Sequence, residues 1–218
     1  MILKKIMMVC LSLAALLVMT NTALAQVYNP VGVQTNVPKS TVLNGGWTEC
    51  YSDLYGNSGT LLSSLEPLCQ GANVMLACSQ VDGNEFVVLG QAPIEDVVFN
   101  TGTGNTTHPA NGIEWYFNES WSWGFAPSGE TVSRNSCDTN STAAEQRLCW
   151  HTGDDELEGG WRCGATTGLN SSTTWMRHIL IQGDVPEVAP VPVNNNYALT
   201  LLILVLSGIG FVAIRRYS

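Results

Sequence analysis

Positive charge is what this 218-residue chain has least of, with nine Lys and Arg against 18 Asp and Glu. The shortage is sharper in the middle of the chain. Lys4, Lys5, Arg215 and Arg216 sit at the two ends, which leaves only Lys39, Arg134, Arg147, Arg162 and Arg177 between them. All 18 acidic residues lie between Glu49 and Glu187, so this middle part carries a net charge of −13. A surface of that sign repels nucleic acid and anionic head groups, and no nucleic-acid partner is expected. Signatures of chemistry are missing as well. The chain has no C-x-x-C or His-x-x-x-His spacing, no D-x-D-x-D-G loop, no G-x-S-x-G elbow and no H-E-x-x-H helix. Neither a metal nor a cofactor is therefore expected. Histidine is confined to His108, His151 and His178, and no internal repeat is present.

What is there begins with the two ends. Lys4 and Lys5 precede an apolar run from Ile6 to Met19, and Ala23-Leu24-Ala25 offers small residues at the positions a signal peptidase inspects. Residues 1–25 read as a signal peptide cleaved between Ala25 and Gln26. At the other end Tyr197 to Ile214 holds 18 residues without a charge. As a helix it spans about 27 Å, enough for membrane lipid to surround it. Thr200 and Ser207 can bond back to the helix backbone and do not disqualify the span. Arg215 and Arg216 stop transfer and place residues 215–218 in the cytoplasm, with the domain on the opposite side. Between domain and helix, residues 183–196 carry Pro186, Pro190 and Pro192 and then Asn194-Asn195-Asn196. This composition suits an extended spacer.

The order of these parts, a short Pro-bearing motif, an apolar helix of minimal length and terminal arginines, resembles the IPTL-CTERM sorting signals of Gram-negative bacteria. The matching stretch is Val191-Pro192-Val193-Asn194-Asn195-Asn196-Tyr197, then the helix, then Arg215-Arg216. Val191 stands where the family has Ile, and Tyr197 where it has Trp. The resemblance implies recognition by an exosortase-type membrane transpeptidase. It also implies passage from the inner membrane, facing the periplasm, to the cell envelope or surface.

Residues 26–44 read as an N-terminal linker, and residues 45–182 as one exported domain, a size that supports a single core. Six cysteines remain beyond Cys10, an even number that suits a disulfide framework in an exported domain. Spacing leaves 15 connectivities open. The expected pairs are the local Cys69–Cys78 and Cys137–Cys149, with Cys50–Cys163 joining the ends. That last pair rests on Gly46-Trp47 before Cys50 and Gly160-Trp161 before Cys163, as neighbouring strands would show. Phe86–Leu89, Glu95–Phe99, Ile113–Phe117 and Trp175–Ile181 are short runs rich in β-branched and aromatic residues. Asp82-Gly83 and Asn111-Gly112 are among the turn signals that divide them. The fold class is mainly β, a disulfide-containing β-sandwich or jelly roll. Helix is expected only over Leu61–Leu68, cut short by Pro67, and over Thr142–Leu148. Gly46–Tyr55, Trp121–Ala126 and Gly160–Gly164 are also similar to a domain that recurs in bacterial surface proteins with sorting tails. That similarity brings no catalytic residues with it.

Two groups of side chains are candidates for function. Trp115, Tyr116, Phe117, Trp121, Trp123 and Phe125 crowd into 11 positions. Trp115, Trp121 and Trp123 suit either a lectin-like face that stacks on a glycan or the core between two sheets. His151 precedes Asp154-Asp155-Glu156, and a His with a carboxylate is the minimum for a hydrolase. A solvated acidic loop accounts for the same residues. The reading that follows is a non-enzymatic envelope protein, with lectin and hydrolase as alternatives.

Overall fold

The computed structural model describes residues 27–183. The chain divides after Gly183 into two units, and the first holds its own core and all of its disulfides. Fourteen strands make up about half of the described residues. They are β1 (Gln34–Pro38), β2 (Thr48–Leu54), β3 (Ser58–Leu61), β4 (Asn73–Gln80), β5 (Glu85–Pro93), β6 (His108–Ala110) and β7 (Ile113–Asn118). They continue as β8 (Ser122–Pro127), β9 (Arg134–Asn135), β10 (Cys137–Asp138), β11 (Leu148–Gly153), β12 (Glu156–Cys163), β13 (Thr166–Thr167) and β14 (Trp175–Gln182). Among the described residues helix is limited to α1 (Lys39–Asn44), α2 (Leu62–Leu65), α3 (Ile94–Val97) and one 3-10 turn at Ala144–Gln146.

Twelve of the strands form two antiparallel sheets, and β9 and β10 pair with each other as a separate two-stranded ribbon. The first runs β1-β5-β4-β14-β2, and the second runs β13-β12-β11-β8-β7-β6, with β3 also pairing β12. Alternation along β4 explains how they pack. Val74, Leu76 and Cys78 point inward with Val88, Ala92 and Ile179, and meet Ile113, Trp115, Trp123, Phe125 and Trp150 of the second sheet. Met75 and Ala77 point the other way, where Val42, Trp47 and Phe86 cover them. The first sheet is therefore buried on both faces. The expected linker is part of this cover. β1 pairs with β5 through Gln34↔Leu89 and Val37↔Phe86, α1 buries Val42, and the Trp47 indole donates to the Tyr28 carbonyl at 2.6 Å. Tyr28 and residues 34–44, expected to belong to a linker, are thus part of the folded domain.

Two turns are as their sequences require. Asn111 and Gly112 both have positive φ, +48° and +72°, between β6 and β7. Asp154 and Asp155, at +47° and +66°, make the same kind of two-residue turn between β11 and β12. One expected strand is not a strand. Within Glu95–Phe99, residues up to Val97 belong to the helical turn α3. The chain has to cross there from the first sheet to the second, and that demand overrides the β preference of Val97, Val98 and Phe99. Leu61–Leu68 gives a single helical turn, because Leu61 already belongs to β3.

All six cysteines pair: Cys50–Cys69, Cys78–Cys163 and Cys137–Cys149, with Cα separations of 5.2, 5.8 and 5.8 Å. Cys137–Cys149 is the expected pair. The other two expected pairs exchange partners, for a topological reason. β2 and β12 lie in different sheets, so the matching Gly-Trp motifs do not put Cys50 beside Cys163. Cys78 instead points inward from the middle of the first sheet and meets Cys163 across the core, which staples the sheets together.

The outer face of the second sheet is covered by residues 128–146. Val132 and Cys137 pack there on Tyr116, Ala126 and Cys149. A charge network lies beneath this cover. The buried Arg147 donates to Asp138 Oδ2 at 2.6 Å and to the Thr142 carbonyl at 2.6 Å. Arg162 donates to the Asn140 carbonyl at 2.7 Å, and Arg134 lies over the Tyr116 ring. With Arg177, all four arginines of the domain are 8% exposed or less. Lys39 is the one basic residue left unburied among the described residues, so the surface is more anionic than the composition suggests.

Candidate functional site

Trp115 and Trp123 stand on β7 and β8 and point between the sheets. Trp115 is 0% exposed and Trp123 6%. Trp115 meets Phe125 edge-on at 5.2 Å, and Trp123 meets Trp150 edge-on at 5.7 Å. The Trp123 indole donates to the Val97 carbonyl at 3.0 Å. Trp121 is half-buried, and its indole nitrogen has no hydrogen-bond partner among the described residues. Of the three tryptophans proposed for a ligand face, two are core. The face is not an exposed aromatic platform.

At the edge of the sandwich, under α2 and α3, a cleft of about 360 Å³ opens beside Trp123 and Phe117. Its walls are apolar, with Leu65, Val74, Ile94 and Ile179 opposite the two aromatic rings. Sequence inspection does not find this cleft, because its walls come from six separate elements.

The three histidines have unrelated surroundings. His108 Nε2 lies 2.6 Å from Asp96 Oδ1, and its ring stacks on Phe99 at 4.3 Å. His178, on β14, bridges Glu49 on β2 and Ser79 on β4, with Nδ1 at 2.5 Å from Glu49 Oε2 and Nε2 at 2.9 Å from Ser79 Oγ. The hydrogen bond from His178 holds the Glu49 carboxyl below its ordinary range, while burial opposes this. Ser, His and Glu in this order have the connectivity of a hydrolytic triad. Ser79 is 0% exposed, however, and no substrate reaches it. The relay joins three neighbouring strands of one sheet instead.

His151, on β11, does not meet the acids that follow it, because Asp154 and Asp155 form the hairpin turn. Its Nδ1 lies 2.6 Å from the Ser136 hydroxyl. The imidazole lines a pocket of about 220 Å³ with Cys137, Trp161 and Asn170. Burial pushes the imidazole below its usual value, and the negative charge of Glu158 opposes this. A neutral imidazole beside a hydroxyl is a general-base pair. Among the described residues no carboxylate bonds the ring to orient it, and the pocket is below the size usual for a ligand site. Ser136 has a left-handed backbone, φ +67°, next to the stapled Cys137. It comes beside His151 through the Cys137–Cys149 bond and was not legible as a partner without it.

Among the described residues no group of three or more His, Cys, Asp or Glu converges as a metal site. None of their helices is long and apolar enough to cross a membrane. The signal-cleavage residues Ala25 and Gln26, the sorting motif Val191–Tyr197, the 197–214 span, Arg215 and Arg216 lie outside the described residues. No family model matches the chain, and no curated protein or solved structure matches it either.

Proposed function

We propose that the chain is an exported envelope protein of a Gram-negative bacterium that displays a non-enzymatic, acidic β domain. In this reading signal peptidase removes residues 1–25, and the 197–214 helix holds the domain in the inner membrane, facing the periplasm. An exosortase-type enzyme then acts at Val191–Tyr197 and passes the domain to the surface. The observation that carries the reading is the pairing of all six cysteines between residues 27 and 183. Such complete pairing belongs to an oxidising compartment outside the cytoplasm. The burial of all four arginines supports display in water, since it leaves a surface of one sign that resists self-association.

Fractionation of cells producing the whole chain, followed by C-terminal peptide mapping, tests it. The expected product sits in the envelope without the peptides that contain Arg215 and Arg216. A cytoplasmic, reduced chain overturns export, and an intact Ser218 end on envelope protein overturns processing.

A further inference from the structure

The cleft at the sandwich edge has the properties of a binding site for a particular class of ligand. Its volume of about 360 Å³ falls in the range of small-molecule sites, about 300–1,000 Å³. Its interior is apolar, and the one indole donor nearby, Trp123 Nε1, is already bonded to the Val97 carbonyl. Phe117 and Trp123 meet edge-on at 5.4 Å and form an aromatic wall. An apolar body fits this interior, and a polar one finds no partner in it.

The mouth has a definite sign. Glu66 and Glu95 line the cleft from its two helical turns, and both are exposed. Among the described residues neither carboxylate meets a cation. The domain cannot readily supply one, because its arginines are buried elsewhere. Two carboxylates beside aromatic faces favour a cationic end and reject an anionic one. The mouth is also held in place, since Cys69 lines the cleft and its bond to Cys50 ties the segment after α2 to β2. A preformed site avoids part of the ordering cost of binding.

From this we infer that the cleft binds a small amphiphile, an apolar chain or ring ended by an ammonium group, with the apolar part against Trp123 and the charge between Glu66 and Glu95. Fatty acids and other anionic amphiphiles of the same length bind more weakly because of the sign of the mouth.

Isothermal titration of the 27–183 domain with n-octylammonium chloride and with sodium octanoate tests the inference. Octylammonium binds at one saturable site and at least about tenfold more tightly than octanoate, the size two partly screened carboxylates give. The Glu66→Gln/Glu95→Gln variant, altered only at exposed positions, brings the two probes to within about threefold. A Val98→Trp variant, which fills the mouth and keeps the near-UV dichroism of the core, binds neither. The inference is overturned by equal affinity for both probes in the wild type, or by no saturable octylammonium binding up to about 5 mM. Binding that persists through both variants overturns it too.

Discussion

Replacing Cys78 and Cys163 together by alanine should destabilise the domain more than removal of either other disulfide. The reason lies in the unfolded chain. Cys78–Cys163 closes a loop with a sequence separation of 85, against 19 for Cys50–Cys69 and 12 for Cys137–Cys149. Loop-closure entropy at 25 °C then gives about 4.6, 3.2 and 2.8 kcal/mol respectively. The Cys137–Cys149 bond lies inside the largest loop and shortens it, which lowers the first figure to about 4.4 kcal/mol. Both sulfurs of the large loop are fully buried between the sheets, so the alanines also leave a small cavity. Urea unfolding followed by tryptophan emission measures the loss, because Trp115, Trp123 and Trp150 all lie in the core. The slope with urea should rise as well, since an uncrosslinked chain exposes more surface. A loss for Cys78→Ala/Cys163→Ala equal to or below that for Cys137→Ala/Cys149→Ala would refute the reasoning.

Gly160→Ala should cost about 3 kcal/mol, read as a fall in Tm, because a Cβ there enters the Tyr55 ring. That ring cannot move freely, as its hydroxyl donates to the Arg162 carbonyl and accepts from Trp150. Arg147→Met should cost about 3–5 kcal/mol in urea unfolding, because it strips the fully buried Asp138 of its closest cation. The double variant Arg147→Met/Asp138→Asn should recover more than half of that loss, since Asn keeps an oxygen for the Ser133 and Asn140 amides. His151 predicts a pH effect. Its value is lowered below 6.5 by burial, so the unfolded chain takes up the proton first and stability falls as pH drops through 6.5. Unfolding of His151→Gln should lack that part of the pH dependence, and an unchanged slope between pH 6.5 and 5 would count against the buried, neutral ring.

Local features were legible in the sequence, and long-range ones were not. Asn111-Gly112 reads as a turn and is one, because the left-handed backbone it needs is a property of those two residues. Ile113–Phe117 and Trp175–Ile181 read as strands from their alternation and composition, and both are strands. Glu95–Phe99 has the same composition and turns a corner instead, since its place between two sheets is not written in its own residues. The disulfides show the same limit. Of the two local loops expected, Cys137–Cys149 forms and Cys69–Cys78 does not, because Cys78 meets Cys163 instead, and that pairing requires knowing which strands face each other. The His178 relay is the extreme case, with Glu49 129 positions away and Ser79 99 positions away. Its geometry exists only once β2, β14 and β4 lie side by side. Trp123 could be read as core or platform. It is core, yet it also borders the edge cleft, so the two readings of the sequence were less opposed than they looked.

The central claim is an exported chain whose domain is stapled by three disulfides and freed of both targeting ends. The mass of the intact protein, isolated from the envelope without reduction, tests this most directly. The expected mass is that of a chain that starts at Gln26, lacks the six thiol hydrogens of Cys50, Cys69, Cys78, Cys137, Cys149 and Cys163, and stops short of residues 197–214. A mass that keeps residues 1–25 or the six thiol hydrogens contradicts it.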